Sequence, residues 1–312
     1  MLRFILTRVA ALVVTLLVAS FLIFAALYLA PGDPATLLAG GRATPALLEQ
    51  IRVQNHLNDP VWARYWDWLS GAVRGDLGES FIYRQSVTSL LAPRAGTTIF
   101  LVVYAAIIIL SVGITLGLSS ALRRRLGAVV TVGTAIGMAT PAFVAAILLI
   151  TVFAVNLGWF PVFGSGEGFV DRLWHLTLPA IALAFAWVAY VAQITKAAVR
   201  EELTREHVET ARSRGIPGPL IVRRHVLRNA MIPITTVAGL TVAGLIAGAV
   251  VVEQAFGLNG LGSFLVQAAG QKDFAVVQAI ALLLVATFVI ANALVDLVNG
   301  LLDPRLRLAG GH

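Results

Sequence analysis

The sequence contains no cysteine, and among its 312 residues it has only two lysines, Lys196 and Lys272. The missing cysteines exclude disulfides, thiolate metal sites, a cysteine nucleophile and a lipidated N-terminal cysteine. Neither lysine follows the glycine-rich run of a phosphate-binding loop. Thiol chemistry and ATP hydrolysis are therefore removed from the functions that this chain could perform itself.

Other catalytic patterns are also missing. The five histidines form no H-E-x-x-H or other close metal pair, and no serine lies in a G-x-S-x-G elbow. Ion-coupled transporters place ionisable groups inside the membrane, whereas here Glu253 and Asp296 lie only at the ends of apolar runs. An autonomous pump and an intramembrane enzyme are disfavoured. The remaining possibilities are a translocation passage, a scaffold, or a subunit that transmits movement generated by another subunit.

Charge is sparse and apolar residues dominate. The chain is 58% hydrophobic and 12% charged, with a mean hydropathy of +0.87, whereas soluble domains carry about 25% charged residues. Uncharged apolar runs of about 18 residues or more indicate membrane-spanning helices. The composition predicts an all-α, polytopic membrane protein with six transmembrane helices. The six predicted spans are Val9–Ala30, Thr97–Ala121, Ala128–Val155, Leu176–Thr195, Ile234–Val252 and Phe274–Val295.

The basic residues predict the orientation of these spans. Fifteen of the 23 lysines and arginines lie before the first span, after the second, after the fourth and at the C-terminus. Because cytoplasmic loops are enriched in lysine and arginine, both termini are predicted to be cytoplasmic. The net charge of +7 then reflects these loops rather than nucleic-acid binding. The first span is predicted to be an uncleaved anchor, and the long segment Pro31–Ala95 that follows it is predicted to be external.

Small residues and one proline mark positions inside the spans. Glycines four residues apart occur at 113 and 117, at 133 and 137, and at 244 and 248. Such pairs let helices approach closely in lipid, although chance is an equal explanation for any single pair in chains this rich in glycine. Pro141 interrupts the third span, where it predicts either a plain packing kink or a kink that lines a pathway.

The stretch from Lys196 to Arg228 is a polar island between two apolar runs. Glutamates come first and arginines follow, which suits the dipole of a helix. Gly215 is placed as a helix C-cap, and Pro217 and Pro219 prevent the helix from continuing. We predict a short surface helix, a sharp break and a second helix that enters the next span near Pro233. By residue chemistry alone, the short helix suits a partner's groove and anionic headgroups equally well.

This island resembles the conserved cytoplasmic loop of ABC importer permeases, often called the EAA loop. The resemblance begins with ETARSRG, which contains Ala211 and Gly215, and continues with RRHVLRNAMIP. It is nearest to the dipeptide and oligopeptide permeases and spans almost the whole chain. The loop departs from the family in having Thr210 between Glu209 and Ala211, and Gln193 stands where relatives often have arginine. Further fragments in family order are Leu29–Pro34, His56–Pro60, Arg74–Ser80, Thr140–Phe143, Leu178–Ala180, Gly248–Gly262 and Asp303–Arg307.

The resemblance implies an assembly and a division of the chain. The expected partners are a second, homologous permease in a heterodimer, two ATPase subunits that bind ATP and Mg, an extracytoplasmic solute-binding protein and the lipid bilayer. The chain itself is expected to hold no cofactor and no metal and to catalyse no reaction. The expected parts are an anchor with an external segment (residues 1–95), a type-1 permease domain (96–303, coupling loop about 196–232) and a cytoplasmic tail (304–312).

Three groups of residues are candidate sites. The resemblance implies that the loop forms the coupling helix on the ATPase, with contacts from Glu206, Glu209, Ala211, Arg212 and Gly215. An external gate is predicted at Glu253, Gly257, Gly260 and Gly262. The external segment is the expected landing surface for the binding protein. Within it, the spacing of Trp62, Tyr65 and Trp66 indicates a helix face that rests on the bilayer interface or contacts a partner.

The expected function is ATP-driven import of di- or oligopeptides that a binding protein delivers. The same assembly could carry nickel or another small solute, since the sequence does not identify the cargo. Two other classes are an ion-coupled secondary transporter and a channel-forming or assembly scaffold. An ion-coupled transporter would require midplane ionisable residues or inverted repeats, and this sequence has neither. A scaffold would not need a docking helix.

Overall fold

The computed structural model describes residues 2–29, 34–39, 43–54, 57–80 and 82–302. Over these residues the chain is helical, and its only extended pairing is one bridge between Glu79 and Ser86. The all-α prediction is confirmed. The α-helices of the described residues are α1 Leu2–Tyr28, α2 Pro34–Ala39, α3 Pro45–Gln54, α4 Val61–Val73, α5 Val87–Leu122, α6 Arg124–Ala139, α7 Ala142–Leu149, α8 Gly168–Leu203, α9 Glu206–Ser213, α10 Gly218–Ile221, α11 Leu227–Ala255, α12 Leu261–Gln271 and α13 Phe274–Leu302.

Up to six of the membrane crossings expected from the sequence are present in the described residues. Four unbroken segments are long and apolar enough to cross: Leu6–Tyr28, Val87–Leu122, Gly168–Leu203 and Phe274–Val295. Two bent pairs bring the number to six. One pair joins Gly127–Ala139 to Ala142–Asn156 at 104°, and the other joins Gly218–Val242 to Gly244–Ala255 at 42°. The third predicted span is therefore broken rather than continuous.

Two helices are longer than the predicted spans inside them. Helices α5 and α8 each have 36 residues, which corresponds to about 54 Å at 1.5 Å per residue. That exceeds the roughly 30 Å of hydrocarbon in a bilayer. Helix α5 begins inside the segment predicted to be external, because Ser86 caps it by accepting the amide N–H of Ser89 at 3.3 Å. Helix α8 runs on to Leu203 and carries the first part of the polar island.

The seam between α5 and α8 is built on glycine. A Cβ on Gly113 would lie 3.0 Å from the side chain of Val191, and a Cβ on Gly117 would lie 2.6 Å from the carbonyl oxygen of Ala192. Neither position has room for a side chain, so the two backbones approach closely along one face. The predicted close contact at this pair is confirmed.

The other two predicted glycine pairs behave differently from each other. Gly244 faces the ring of Trp187, and a Cβ on Gly248 would lie 2.9 Å from a methyl group of Leu183. A Cβ on Gly137 would lie 2.9 Å from the side chain of Ala189, but Gly133 has nothing within 4 Å of its Cβ position. Gly133 therefore makes no close helix contact within the described residues, and the prediction is wrong there.

Buried apolar residues form three clusters. The central one joins α5, α7, α8 and α11. A second joins the start of α5 to α12 and α13. The third joins the end of α8, α9, α10 and the start of α11. The third cluster, which we call the loop core, consists of Val199, Val208, Ala211, Ile221, Val226, Ala230 and Ile234.

Several predicted features fall outside the described residues. They are the C-terminal tail 304–312, the fragment Asp303–Arg307, most of Leu29–Pro34 and His56 of the fragment His56–Pro60. The proposed boundaries of the anchor, the permease domain and the tail stay predictions.

The glycine seam predicts that Gly117→Ala destabilises the protein. The added methyl group would collide with the backbone of α8, and overpacking of this kind costs about 1–3 kcal/mol. We expect a lower midpoint of thermal unfolding in detergent.

Gly96→Ala is the matched control, because Gly96 lies in the same helix and has nothing within 4 Å of its Cβ position. In a helix this change stabilises by about 0.5–1 kcal/mol. Equal midpoints for the two variants would contradict the role of the seam.

Candidate functional site

Helix α9 (Glu206–Ser213) is the short surface helix predicted from the polar island. Its inward face carries Val208, which is fully buried, and Ala211, which is 6% exposed. Both side chains pack in the loop core against residues from α8, α10 and α11. An eight-residue helix is marginal alone in water, so this packing is what holds α9 in place.

The outward face of α9 carries the charged candidates. Glu206, Glu209 and Arg212 are all exposed, and so is Gly215 beyond the end of the helix. Ala211 was predicted to permit close approach to a partner, but its side chain points into the chain. The reason is the helical period, since positions three apart share a face and 208 and 211 fall on the apolar one.

The turn after α9 is a Schellman motif. Gly215 has a φ of +74°, its amide N–H donates to the carbonyl of Arg212 at 2.9 Å, and the amide of Ile216 donates to the carbonyl of Ala211 at 3.2 Å. This bond pattern ends a helix and favours glycine at the left-handed position. Ile216 also packs on the loop core. The predicted C-cap at Gly215 and the break at Pro217 are confirmed.

Polar contacts fix the start of α9 to the neighbouring helices. Arg205 donates to Glu201 at 2.5 Å across the junction with α8. Glu202 accepts from the side-chain amide of Asn229 on α11 at 2.7 Å and lies 3.0 Å from the Nε2 atom of His207. Helix α9 is thus joined to α8 at its start, and its inward face packs against α8, α10 and α11.

The second candidate site centres on a buried carboxylate. Glu253, near the end of α11, is fully buried. Its Oε1 accepts from the hydroxyl of Thr98 on α5 at 2.6 Å, and its Oε2 accepts from the amide N–H of Ser263 on α12 at 2.9 Å. The Thr98 hydroxyl oxygen also accepts from the amide of Leu261 at 2.8 Å. The pair Glu253 and Thr98 therefore caps the N-terminus of α12, which otherwise has unpaired amides.

The three glycines near Glu253 have distinct roles. Gly257 has a φ of +56° and ends α11 in a second Schellman turn, with Leu258 donating to the carbonyl of Glu253 at 2.9 Å. A Cβ on Gly260 would collide with the carboxyl group, and a Cβ on Gly262 would lie 2.5 Å from the Cα of Val250. The sequence motif therefore forms one unit. Its carboxylate is directed into the protein and is satisfied by protein groups, and its role as a gate stays a prediction.

Further polar contacts, which no sequence pattern predicted, extend this unit. Besides Thr98 and Ser263, buried Asp273 accepts from the hydroxyl of buried Ser80. The hydroxyl of Tyr83 donates to Gln271 at 3.1 Å. These bonds link the loop after α4 to the turn between α12 and α13. Their partners are up to 193 positions apart, so no local pattern signals them.

The aromatic candidates of α4 divide into two groups. Trp62 and Trp66 are 70% and 59% exposed. Tyr65 is buried against α1, where its hydroxyl lies 2.9 Å from that of Ser20 and its ring makes an edge contact with Phe21. The prediction that Tyr65 contacts a partner or the bilayer interface is wrong for this side chain. The reason is that α4 uses the Tyr65 face to pack on the first span.

Gly215→Val tests the turn at the end of α9. A left-handed conformation costs about 1–2 kcal/mol for a residue with a Cβ, and a β-branched side chain is poorly suited to it. Nothing lies within 4 Å of the Cβ position, so the effect is conformational. We expect weaker co-purification with an ATPase subunit and slower ATP-dependent uptake.

Gly218→Val is the control for this variant. Gly218 also has nothing within 4 Å but lacks a positive φ. A Gly215→Val protein that assembles and transports as well as Gly218→Val would show that the turn does not matter.

Glu253→Ala tests the cap of α12. The change leaves the Ser263 amide and the Thr98 hydroxyl without their acceptor, and each unsatisfied buried group costs about 1–3 kcal/mol. We expect a lower thermal midpoint in detergent, and a smaller decrease for Glu253→Gln, whose amide oxygen can keep one bond. Neighbouring Gln254 is exposed, so Gln254→Ala should leave the midpoint unchanged. An unchanged midpoint in Glu253→Ala would contradict the cap.

The chain is similar to known transport proteins. The glutathione transport system permease protein GsiC of Escherichia coli strain K12 is 35% identical over 98% of this chain and 99% of its own length. GsiC of Shigella dysenteriae serotype 1 matches at the same identity and coverage. A solved structure titled as an inward-facing conformation of the MetNI methionine ABC transporter has a TM-score of 0.48 and 19% identity. The match covers 67% of this chain and 92% of the chain in the solved structure.

Two family descriptions together account for most of the chain. Residues 113–308 match the binding-protein-dependent transport system inner membrane component. Residues 1–102 match the N-terminal region of membrane components of the same transport systems. The chain belongs to the family of binding-protein-dependent transport system inner membrane components, and it is the multi-pass permease subunit of an ABC importer rather than its ATPase.

Proposed function

We propose that this permease forms half of a translocation pathway for peptides that an extracytoplasmic binding protein delivers. The full-length relatives are named as glutathione transport permeases, and glutathione is itself a small peptide. The similarity extends over 98% of this chain. Di- or oligopeptides are therefore the proposed cargo, and nickel or another small solute is the alternative that the cargo test below separates.

The proposed assembly contains four further subunits and the bilayer. A second, homologous permease completes the pathway as a heterodimer. Two ATPase subunits bind ATP and Mg on the cytoplasmic side, and a solute-binding protein docks outside. The basic residues at the membrane ends support this orientation, with both termini and α9 in the cytoplasm. Neither nucleic acid nor a cofactor bound by this chain takes part.

The observation that carries the coupling role is the two-sided character of α9. Its apolar face is buried in the loop core, while Glu206, Glu209 and Arg212 face outward. Such a helix can receive a force on its charged face and pass it to α8 and α11 through its buried face. ATP shifts the balance between inward- and outward-facing states only if the ATPase contacts differ in the two states. Gly215 contributes by fixing the turn and Ala211 by packing.

The external side offers two separate contact surfaces. Trp62 and Trp66 suit the bilayer interface, where tryptophan is enriched. The loop from Arg74 to Ser86, which is bonded to the α12–α13 turn, suits the binding protein. In this proposal Glu253 and its glycines hold α12 in position beneath that loop, so any gating movement of α12 involves the cap as well.

Charge reversal on α9 tests the coupling role. Arg212→Glu changes an attraction at the ATPase contact into a repulsion. A loss of about 1–2 kcal/mol corresponds to roughly 5- to 30-fold weaker association. We expect this weakening in co-purification with the ATPase, together with loss of transport-stimulated ATP hydrolysis.

Arg74→Glu makes the same charge change at an exposed turn on the proposed outer side, and it should leave ATPase association unaffected. Wild-type association in Arg212→Glu would exclude this residue from the contact. A scaffold that couples to no ATPase would show no association in any variant.

Uptake into vesicles that contain the whole importer tests the cargo. Labelled dipeptide, glutathione and nickel are compared with the binding protein present, with and without ATP. We expect ATP-dependent peptide uptake that survives collapse of the ion gradients. Uptake of nickel alone would show that nickel, rather than a peptide, is the cargo. Uptake that follows the ion gradient without ATP would show that the transporter is ion-coupled rather than ATP-driven.

A further inference from the structure

The third span is broken at Thr140 and Pro141. Helix α6 ends at Ala139, α7 begins at Ala142, and the axes of the two arms differ by 104°. Proline lacks an amide donor and clashes with the preceding turn, so it ends the helix here. A bend of this size is far larger than a packing kink, and the two arms cannot both run along the membrane normal.

Contacts with α8 place this break near the middle of the membrane. Helix α6 runs beside α8, starting where Lys196 donates to the carbonyl of Gly127 at 3.3 Å. Near its other end, the Cβ position of Gly137 lies 2.9 Å from Ala189 and 3.7 Å from the carbonyl of Phe185. Both residues lie in the central part of the apolar stretch Leu176–Thr195. The break follows Gly137 directly and is therefore at a similar depth.

The break leaves backbone groups without partners. The amide of Thr140 donates to the carbonyl of Gly137 at 3.3 Å, and the carbonyl of Pro141 accepts from Val144 and Ala145. The Thr140 hydroxyl satisfies the carbonyl of Ile136 at 2.8 Å. Groups with no hydrogen-bond partner within the described chain are the carbonyls of Met138, Ala139 and Thr140 and the amides of Ala142 and Phe143.

These unpaired groups are also uncovered. Met138 and Phe143, on either side of the break, are each 50% exposed. Irregular backbone with free polar groups is tolerated at membrane depth only where protein buries it or where it lines a water-filled cavity. Each such group left in hydrocarbon would cost several kcal/mol. Lipid is therefore excluded as the environment of this break.

A track of polar side chains leads from the break towards the predicted cytoplasmic end. On the seam between α6 and α8, Gln193 donates to the Thr134 hydroxyl at 2.6 Å. About one turn further along, Lys196 donates to the Thr131 hydroxyl at 2.5 Å. Polar atoms thus continue along one seam from the middle of the membrane to its end.

We infer that the break at residues 138–143 lines the solute passage and offers its free carbonyl oxygens and amides to the passing solute. This inference deepens the proposed function and rests on it. Backbone carbonyls accept hydrogen bonds from peptide N–H and ammonium groups, and backbone amides donate to peptide carbonyl and carboxylate groups. Such a lining binds the features common to all peptides, whatever their side chains. The solute class is therefore small peptides.

Cysteine accessibility tests this inference, since the natural chain has no cysteine. Ala139→Cys is placed in the whole importer and treated with a membrane-impermeant, positively charged methanethiosulfonate. Val18→Cys is the matched control, because Val18 is 54% exposed on the apolar first span and is expected to face lipid. Only the thiolate reacts, and a thiol in hydrocarbon stays protonated. We expect Ala139→Cys to react roughly ten-fold faster or more, and a labelled dipeptide cargo to slow it.

Two results would overturn the inference. One is an Ala139→Cys importer that transports normally but reacts no faster than Val18→Cys with or without ATP. The other is an unreactive Ala139→Cys that forms a disulfide with a cysteine placed in the second permease, since protein would then cover the break. Met138→Cys repeats the measurement if Ala139→Cys fails to assemble. If the proposed peptide cargo is wrong, the cysteine-free parent importer will take up no peptide. That result is distinguishable from the two results that overturn the inference about the break.

Discussion

The structure depends on one constraint: a polypeptide in hydrocarbon must satisfy its backbone hydrogen bonds internally. The described chain meets this constraint almost entirely with helices. Where a helix has to end near the membrane, a specific device pairs the remaining groups. Schellman turns end α9 and α11, and the Glu253 and Thr98 pair caps α12. The break between α6 and α7 is the exception, and its exposed free groups are why it marks the passage.

The same constraint explains where charge is found. Glu253 and Asp273 are fully buried acids, and both accept hydrogen bonds from hydroxyl or amide groups of other elements. Burying a charged group is costly unless it is paired in this way. Each acid therefore joins elements that are distant in the sequence. Together they connect α5, α11, α12 and the loop after α4 into one unit, on the side that is predicted to be external.

The side that carries α9, which is predicted to be cytoplasmic, is built on apolar packing instead. Helix α9 is too short to be stable alone, and its stability comes from the loop core that it shares with α8, α10 and α11. A force on its exposed charges must move these longer helices as well. The unit around Glu253 and the loop core under α9 meet in α11, which carries Glu253 near one end and the loop-core residue Ala230 near the other. This helix is the direct connection between the two candidate sites.

Sequence patterns correctly predict the all-α class, the positions of the apolar runs, the helix and turn of the polar island, and the family. These features are local, since hydropathy, proline, glycine and helical period act over a few residues. Tertiary packing determines which faces are covered. Ala211 and Tyr65 are directed inward, Gly133 has no close contact within the described residues, and Glu253 caps helix α12. The 104° break also required the structure, because Pro141 predicts an interruption but not its angle. Burial and direction depend on partners up to 193 positions away, and no local pattern contains that information.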